Sequence, residues 1–523
     1  MDTTDKVQKN LQNALKLSGF NIRREFCCLL VTSFIEGGVD LNDGMAFETM
    51  IRNLCASLEN QCLAEKSIEK EHIERAIEVC LHSGYDRYES IFNIINAFDF
   101  PKLSYNPDRK LYFIDKSRST LLAKADIKAK LFLDRYYTIL QRTKRNFQQK
   151  VSAGDKNQLK LQTVDYLLTL SNVTLEFTLI LGSLIQVSEG KWHLEDPTGM
   201  VELNLTHAKF HAGFFMENCV VLVNGYYEDR ILHVSTVVLP PGEEYANSRI
   251  SFGSLNYFGG NSSVPLRDSL KLKEHLNQNK SKPILFFSDV WLDHQLIFEK
   301  LEFLFAGFED IPPIAFIFMG NFMSNSQGNE TMQTLRKLFK KLAELILKYP
   351  GISTESEFVF VPGLADPCTL HIVPRLGLPD YVTGEMKRLL PKAIFPTNPC
   401  RLQYCNREIV LFRADLVPKF LQGTLHKPPK EQIVDCIKRT VISQGHLSPL
   451  SLNSLTVHWD YDHTLRLYPL PDLVVVGDKF EAYAEDYKGC LLVNPGSFCE
   501  GFQFKSYTPF SNTCDDCDLD MQT

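Results

Sequence analysis

The stretch KPILFFSDVWLDH, Lys282 to His294, decides the fold. Ile284 to Phe287 is apolar at every position, and the run stops at the polar pair Ser288–Asp289. A half-buried strand would alternate, so this run fits a strand covered on both faces. The same pattern recurs downstream. IAFIFM precedes Gly320-Asn321-Phe322, FVFV precedes Pro362-Gly363-Leu364-Ala365-Asp366, and IVLF precedes Arg413-Ala414-Asp415. LVVV precedes Gly477-Asp478-Lys479-Phe480, and LLV precedes Asn494-Pro495-Gly496-Ser497-Phe498. Helical stretches lie between, notably Met332–Lys348. This predicts an α/β layered domain over 283–510. Ligands in such folds sit at the carboxyl ends of the strands. The positions that matter are then Asp289, Asn321, the turn 363–366, Asp478 and the turn 494–497. The same residue types are also ordinary turn formers.

Upstream, residues 172–241 change character. Val201, Leu203 and Leu205 alternate with Glu202, Asn204 and Thr206, the pattern of a half-buried strand. Asp196-Pro197-Thr198-Gly199 before it suits a type I turn. Cys219–Asn224 and Ile231–Leu239 give two more strands, split by Glu228-Asp229-Arg230. Short strands at this spacing predict an OB-fold barrel over 161–241. Single-strand binding needs cations along the groove and aromatic platforms. Trp192, Phe214, Phe215, Tyr226 and Tyr227 could be platforms, but Lys191, Lys209 and Arg230 face eight acidic residues in 172–241. A protein-binding barrel fits that balance better, and a single-stranded DNA binder is the alternative.

Residues 1–82 carry four apolar stripes at helical spacing. They are Leu11/Ala14/Leu15, then Ile22/Phe26/Leu29/Leu30/Phe34, then Phe47/Ile51/Leu54/Leu58, then Ile73/Ala76/Ile77/Cys80. Such stripes predict a small helical bundle. Residues 83–160 read as a connector, with a helix over Ile91–Phe98 and a strand over Leu111–Ile114. It ends in the basic run LQRTKRNFQQK, with Arg142, Lys144, Arg145 and Lys150. That run reads as a solvated face, with nucleic-acid contact as the alternative. Residues 242–282 read as a loop, NYFGGNSS at 256–263, followed by a helix over Leu270–Asn277. Residues 511–523 read as an acidic tail.

The bulk numbers bound these readings. The 523 residues, 44% apolar and 23% charged, are those of a multidomain globular chain. A net charge of −7 opposes a phosphate-tracking surface over the whole protein. The 14 cysteines lack metal-site spacing, and the lone Cys514-x-x-Cys517 lacks two further ligands. No apolar run reaches the ~18 residues of a membrane span. The opening MDTTDKVQKNLQ has no apolar signal-peptide core. An intracellular chain without membrane contact is the expectation.

The strand ends resemble the calcineurin-like metallophosphoesterases, whose motifs run D-x-H, G-D-x-x-D, G-N-H-[DE], a lone His, and G-H-x-H. Here the order is kept and the ligands are not. Asp289-Val290-Trp291 keeps the aspartate and replaces the histidine. Gly320-Asn321-Phe322-Met323-Ser324 replaces both aspartates. Gly363-Leu364-Ala365-Asp366 loses the asparagine and the catalytic histidine. Gly445-His446 matches the lone His, and Gly477-Asp478-Lys479-Phe480 replaces both final histidines. A two-metal site clamps cations ~4 Å apart and needs several hard donors. Asp289, Asn321, His446 and Asp478 are the donors left, with Lys479 adding positive charge beside them. The resemblance therefore implies a degenerate site at Asp289, Trp291, Asn321, Ser324, Leu364, Ala365, His446, Asp478 and Phe480. No catalytic residue, metal or cofactor is expected; an active metal-dependent phosphodiesterase is the rival reading.

A barrel followed by an inactivated phosphoesterase is similar to the B-subunit family of replicative DNA polymerases, and within it to the epsilon branch. The similarity is carried by FNIINAFDFP (92–101), DRYYTILQRT (134–143), LEDPTG (194–199), NYFGG (256–260) and FSDVWLD (287–293). It continues through FVPGLADP (360–367), TNPCRLQYC (397–405), ISQGHLSPL (442–450) and NPGSF (494–498). FVPGLADP departs from the family's more usual PGPEDP. The resemblance implies a nuclear, non-catalytic accessory subunit in chromosomal DNA replication. Its implied partners are the cysteine-rich C-terminal domain of the catalytic subunit, the replicative helicase through GINS, and small histone-fold subunits of the same complex. An indirect contact with DNA is among the expectations. The N-terminal bundle resembles the small helical domain of AAA+ ATPases, without a nucleotide-binding loop.

Overall fold

The structure is a computed structural model. It describes residues 3–519 apart from 18–19, 21, 37–50, 52–53, 56, 59–67, 69, 82–89, 107, 153–159, 171–173, 254, 263–264, 326–329 and 368–370. Strand β1 is Phe92–Asn96, and β2 (Leu103–Asn106) and β3 (Leu111–Ile114) form a hairpin. Then come β4 (Leu175–Ser188), β5 (Lys191–Asp196), β6 (Gly199–Asn204), β7 (Lys209–Phe210), β8 (Val220–Glu228) and β9 (Ile231–Val238). The later strands are β10 (Ile284–Ser288), β11 (Ala315–Met319), β12 (Glu357–Val361), β13 (Ala393–Ile394), β14 (Cys400–Tyr404) and β15 (Arg407–Arg413). The last are β16 (Leu473–Gly477), β17 (Tyr483–Tyr487), β18 (Cys490–Asn494), β19 (Gln503–Thr508) and β20 (Thr513–Asp518).

The first sheet runs β6-β5-β4-β8-β9-β7, and a further β6–β9 pairing closes it into a barrel. Closure needs strong bending, and the long β4 supplies it with register shifts at Leu175/Thr178 and Gln186/Ser188. Another shift in the β8–β9 pairing falls at Asn224/Gly225. There a Cβ on Gly225 would overlap the His233 carbonyl, so the crossing requires glycine.

The apolar runs become two six-stranded sheets packed face to face. Their orders are β1-β14-β15-β16-β18-β17 and β13-β12-β11-β10-β19-β20. Strands β10, β11, β12 and β13 are parallel, as are β15, β16 and β18. Phe286, Ile317 and Val359 of one sheet meet Leu402, Leu411 and Val475 of the other in a shared core. The opposite face of the second sheet carries Phe287, Phe316, Phe318, Phe358 and Phe360 beneath helices Gln295–Phe308, Thr331–Ile346 and Asp380–Leu389. Its phenylalanines stack across the strands, with ring centroids 5.3 Å apart for Phe316/Phe358 and 5.2 Å for Phe318/Phe360. Each such buried ring contributes about 1.5–3 kcal/mol. The outer face of the sandwich sheet that holds β15 and β16 (Val410, Phe412, Val474, Val476) belongs to one continuous core with the barrel residues Leu184, Val221 and Val237. Barrel and sandwich are thus packed together.

Helices Thr3–Leu17, Arg24–Glu36 and Lys70–Leu81 share a core of Leu11, Leu15, Leu30, Phe34, Leu54, Leu58, Ile73 and Ile77. Phe47 of the third stripe lies outside the described residues.

Three expectations fail on packing. Ile91–Phe98 is not a helix; β1 pairs antiparallel with β14, Phe92 opposite Tyr404 and Asn96 opposite Cys400. A distant partner strand overrides the local pattern. The acidic end is not a free tail, because β20 pairs with β19 and packs Cys517 against the core. Its aspartates mark an edge strand, where charge discourages further pairing. Two arginines of the basic run are not on a solvated face, and the Lys150 side chain lies outside what the structure describes. The run lies on the long helix Ala125–Ser152, and Arg142 is 2% exposed. Arg142 donates to the Ser443 carbonyl and sits over the Tyr468 ring, while Arg145 donates to Glu243, Ser251 and Tyr468. Lys144 alone of these three is exposed.

Candidate functional site at the strand ends

Strand β10 ends at Ser288, and Asp289 follows with φ +53° and no solvent exposure. Aspartate tolerates this left-handed conformation better than most residues. Its backbone N–H donates to the Met319 carbonyl at 3.0 Å. Its Oδ1 accepts from the Asn321 backbone N–H at 3.1 Å and from Asn321 Nδ2 at 3.3 Å. A buried carboxylate needs a compensating cation, and Arg413 at the end of β15 supplies it. Arg413 Nη2 donates to Asp289 Oδ1 at 2.7 Å and to Oδ2 at 2.9 Å. Its Nη1 donates to Asp415 Oδ1 at 2.8 Å and to the Gly477 carbonyl at 3.0 Å, and its Nε donates to the Gly320 carbonyl. One guanidinium therefore joins the ends of β10, β11, β15 and β16. Burial alone would lower its pKa; the Asp289 and Asp415 carboxylates outweigh that and hold it above the usual arginine value.

A second arginine secures the loop after β12. Arg375 is 1% exposed and donates to the carbonyls of Gly363 and Asp366. Asp366 Oδ1 accepts from the Phe322 N–H at 2.7 Å and Oδ2 from the Gly363 N–H at 2.8 Å. Burial pushes the Asp366 carboxyl up to about 6, against the opposing pull of those N–H groups and of Arg375. Asn321 Oδ1 accepts from the Ala365 N–H at 3.1 Å, tying β11 to the same loop.

Asp478 works as a cap. Its Oδ2 accepts from the N–H groups of Leu416 and Val417 at 2.6 and 2.9 Å, and its Oδ1 from Phe480 at 2.9 Å. Those bonds seat the first turn of helix Val417–Gly423. Burial raises its pKa. Ser324 donates from its backbone N–H and hydroxyl to Asp293. The Trp291 ring lies 5.9 Å from Lys479 Nζ. Leu364 and Phe480 pack against the core shared with the barrel.

Asp289, Asn321 and Ala365 are thus brought into one hydrogen-bonded chain, and Asp478 joins them through Gly477 and Arg413. His446 has other partners. Its Nε2 lies 3.3 Å from Asp462 Oδ1 and its Nδ1 accepts from the Ser448 N–H at 3.1 Å. Asp462 in turn accepts from Arg135 of the long helix. Burial lowers the His446 pKa. Among the described residues, no group of three or more His, Cys, Asp or Glu side chains converges as metal ligands would. A cavity of about 360 Å³ opens beside Asn321 and Ala365, with Arg413 and Lys419 in its lining. The donors present do not fit a two-cation centre, because the best of them, Asp289, has both oxygens taken by a guanidinium.

Arg413 and Arg375 were not singled out from the sequence. The signal for Arg413 was present: an apolar strand ending on aspartate demands a buried cation, and IVLF-Arg413 is a second strand of the same type ending on one.

The barrel and the sandwich both fall in segments that family models recognise, and those matches define a protein of the polymerase B-subunit class. Residues 284–485 match the family model for the B subunit of DNA polymerases alpha and epsilon, and residues 125–241 match "DNA polymerase epsilon subunit 2-like, OB-fold domain". The second match starts before residue 161, the expected barrel boundary, and takes in the long helix. DNA polymerase epsilon subunit 2 of Mus musculus is 38% identical over 98% of this chain and 99% of its own length. The Drosophila melanogaster protein of that name is 36% identical over 98% of each chain, and the DNA polymerase epsilon B subunit of Saccharomyces cerevisiae is 26% identical over 81% of this chain and 75% of its own. The chain belongs to the DNA polymerase epsilon subunit 2 family, the accessory B subunits of that polymerase. Among solved structures, an archaeal phosphodiesterase covers 45% of this chain and 99% of its own at 13% identity, with a TM-score of 0.26, too low to carry an argument.

Proposed function

We propose that this chain scaffolds DNA polymerase epsilon without doing chemistry itself. In this reading the barrel and sandwich hold the cysteine-rich C-terminal domain of the catalytic subunit. The N-terminal helices form a bundle that meets the replicative helicase through GINS, and the small histone-fold subunits join the same nuclear complex. DNA is reached through these partners.

The observation that carries the reading is Arg413 on Asp289, 2.7 and 2.9 Å apart at two oxygens, both side chains buried. A two-metal phosphoesterase uses paired cations to lower the pKa of a bridging water and to clamp the phosphate. Here the cation is part of the polypeptide. A guanidinium cannot coordinate water or lower its pKa as a metal does, and all its N–H directions point at protein acceptors. Ala365 offers no proton to a leaving group. Asn321 spends its Oδ1 on the Ala365 N–H and its Nδ2 on Asp289, and Asp478 spends both oxygens on backbone N–H groups. The strand ends then serve rigidity, which suits a subunit whose work is to present a fixed surface. The large apolar interfaces of obligate complexes need such a surface.

The test is co-purification. The tagged chain, expressed at its natural level, is expected to bring down the polymerase epsilon catalytic subunit, and a catalytic subunit lacking its cysteine-rich domain should escape. Recovery of the chain solely as a free monomer would refute the proposal. So would manganese-dependent hydrolysis of an aryl phosphodiester that Asp289→Ala abolishes.

A further inference from the structure

A second cavity lies where the long helix Ala125–Ser152 packs over the β2–β3 hairpin, with a volume of about 590 Å³. Tyr105 of the hairpin and Tyr137 and Leu140 of the helix give it apolar walls. Tyr137 is 47% exposed, so an aromatic face is left open to water. Four basic side chains line the cavity against one carboxylate, Asp134. Two of the four are committed to the fold. Arg145 donates to Glu243 and Tyr468, and Arg466 donates to the Leu103 carbonyl at 3.0 Å. Lys110 and Lys144 are exposed and pair with no carboxylate among the described residues. Inside, Gln141 is 8% exposed; its Nε2 donates to the Tyr112 hydroxyl at 3.3 Å, while its Oε1 has no hydrogen-bond partner.

We propose that this cavity docks a short acidic segment of a partner protein. An aromatic or leucine side chain of the segment sits between Tyr105 and Tyr137. Its flanking carboxylates meet Lys110 and Lys144. Charge complementarity chooses this occupant: the rim offers two unspent cations around an apolar hollow. A nucleic-acid strand needs cations set along an open groove and successive stacking platforms. Here the cations stand around a single hollow of about 590 Å³, in a chain of net charge −7. The basic run thus divides its labour, with Arg142 and Arg145 holding the helix down and Lys144 left for the ligand.

The experiment is a selection of random peptides displayed on phage against the full chain, repeated against Lys110→Glu/Lys144→Glu. Both lysines are exposed, so the variant should keep the wild-type melting temperature; Lys110→Ala/Lys144→Ala serves if it does not. The expected result is a consensus of one apolar residue flanked by Asp or Glu. The synthesised consensus peptide should bind the variant at least about tenfold more weakly by fluorescence anisotropy, and bind Tyr137→Ala more weakly as well. Three results would overturn the proposal: no enriched consensus, a consensus that binds wild type and variant equally, or an oligo-dT probe whose binding the charge reversal abolishes while no peptide responds.

Discussion

Arg413→Met gives the sharpest view of what holds the strand ends together. The substitution keeps side-chain bulk and removes the guanidinium. Arg413 and Asp289 are 2% and 0% exposed at their side chains, so neither partner can recover hydration. Breaking a buried pair from one side costs about 3–5 kcal/mol. The carbonyls of Gly320 and Gly477 also lose their donor. Unsatisfied buried acceptors cost about 1–3 kcal/mol each when nothing relaxes. These effects share one site and do not add in full, so the expected total is about 4–6 kcal/mol. Urea unfolding of the full chain, followed by tryptophan fluorescence, reports it, and Trp291 stands two residues from Asp289. Adding Asp289→Asn completes a double-mutant cycle. The pair should be less destabilised than the two single changes together by about 2 kcal/mol or more, because the second change removes the orphaned charge. A loss below about 1 kcal/mol for Arg413→Met, or additivity within about 0.5 kcal/mol, would refute the reasoning.

The other predictions concern neighbouring parts. Arg142→Ala should lower stability by about 2–4 kcal/mol in thermal or urea unfolding, whereas Lys144→Ala should stay within about 0.5 kcal/mol of wild type. Equal effects would mean that the basic run is a solvated face after all. Gly320→Ala should destabilise by at least about 3 kcal/mol or prevent folding, because its Cβ would overlap Asp366 Oδ2 and the Gly363 nitrogen; soluble yield and melting temperature decide it. Folding raises the Asp366 carboxyl from its ordinary 3.8 to about 6. The folded state then holds that proton more tightly, so the contribution is full below pH 3.8 and is lost as the pH rises through about 6. Wild type should therefore lose on the order of 3 kcal/mol relative to Asp366→Asn across that window, measured as the difference between their stabilities at each pH. A pH-independent difference would contradict it.

The sandwich was legible because its strands are covered on both faces. Runs such as Leu473–Val476 and Phe358–Val361 have no other economical reading, and each stops where a turn former begins. The barrel was legible through the opposite signal, the alternation at Val201–Thr206. Local pattern failed where the decisive partner is remote. The helical reading of Ile91–Phe98 missed a pairing with residues 400–404, some three hundred positions along the chain. Arg142 and Arg145 looked like surface charge because nothing near them announces Ser443, Glu243 or Tyr468. At the strand ends the resemblance to the phosphoesterase motifs singled out positions such as Trp291 and Ala365. It could not name Arg413, because the motifs follow only ligand positions. His446 shows the converse. Its place in the motif order suggested a metal ligand, yet its partners are Asp462 and Ser448.

Manganese anomalous diffraction from crystals of the protein tests the central claim most directly. The account predicts no ordered manganese within coordination distance of Asp289, with the Arg413 guanidinium still bound to both of its oxygens. Two manganese peaks ~4 Å apart at the ends of β10 and β11, with Arg413 swung out to make room, would contradict it.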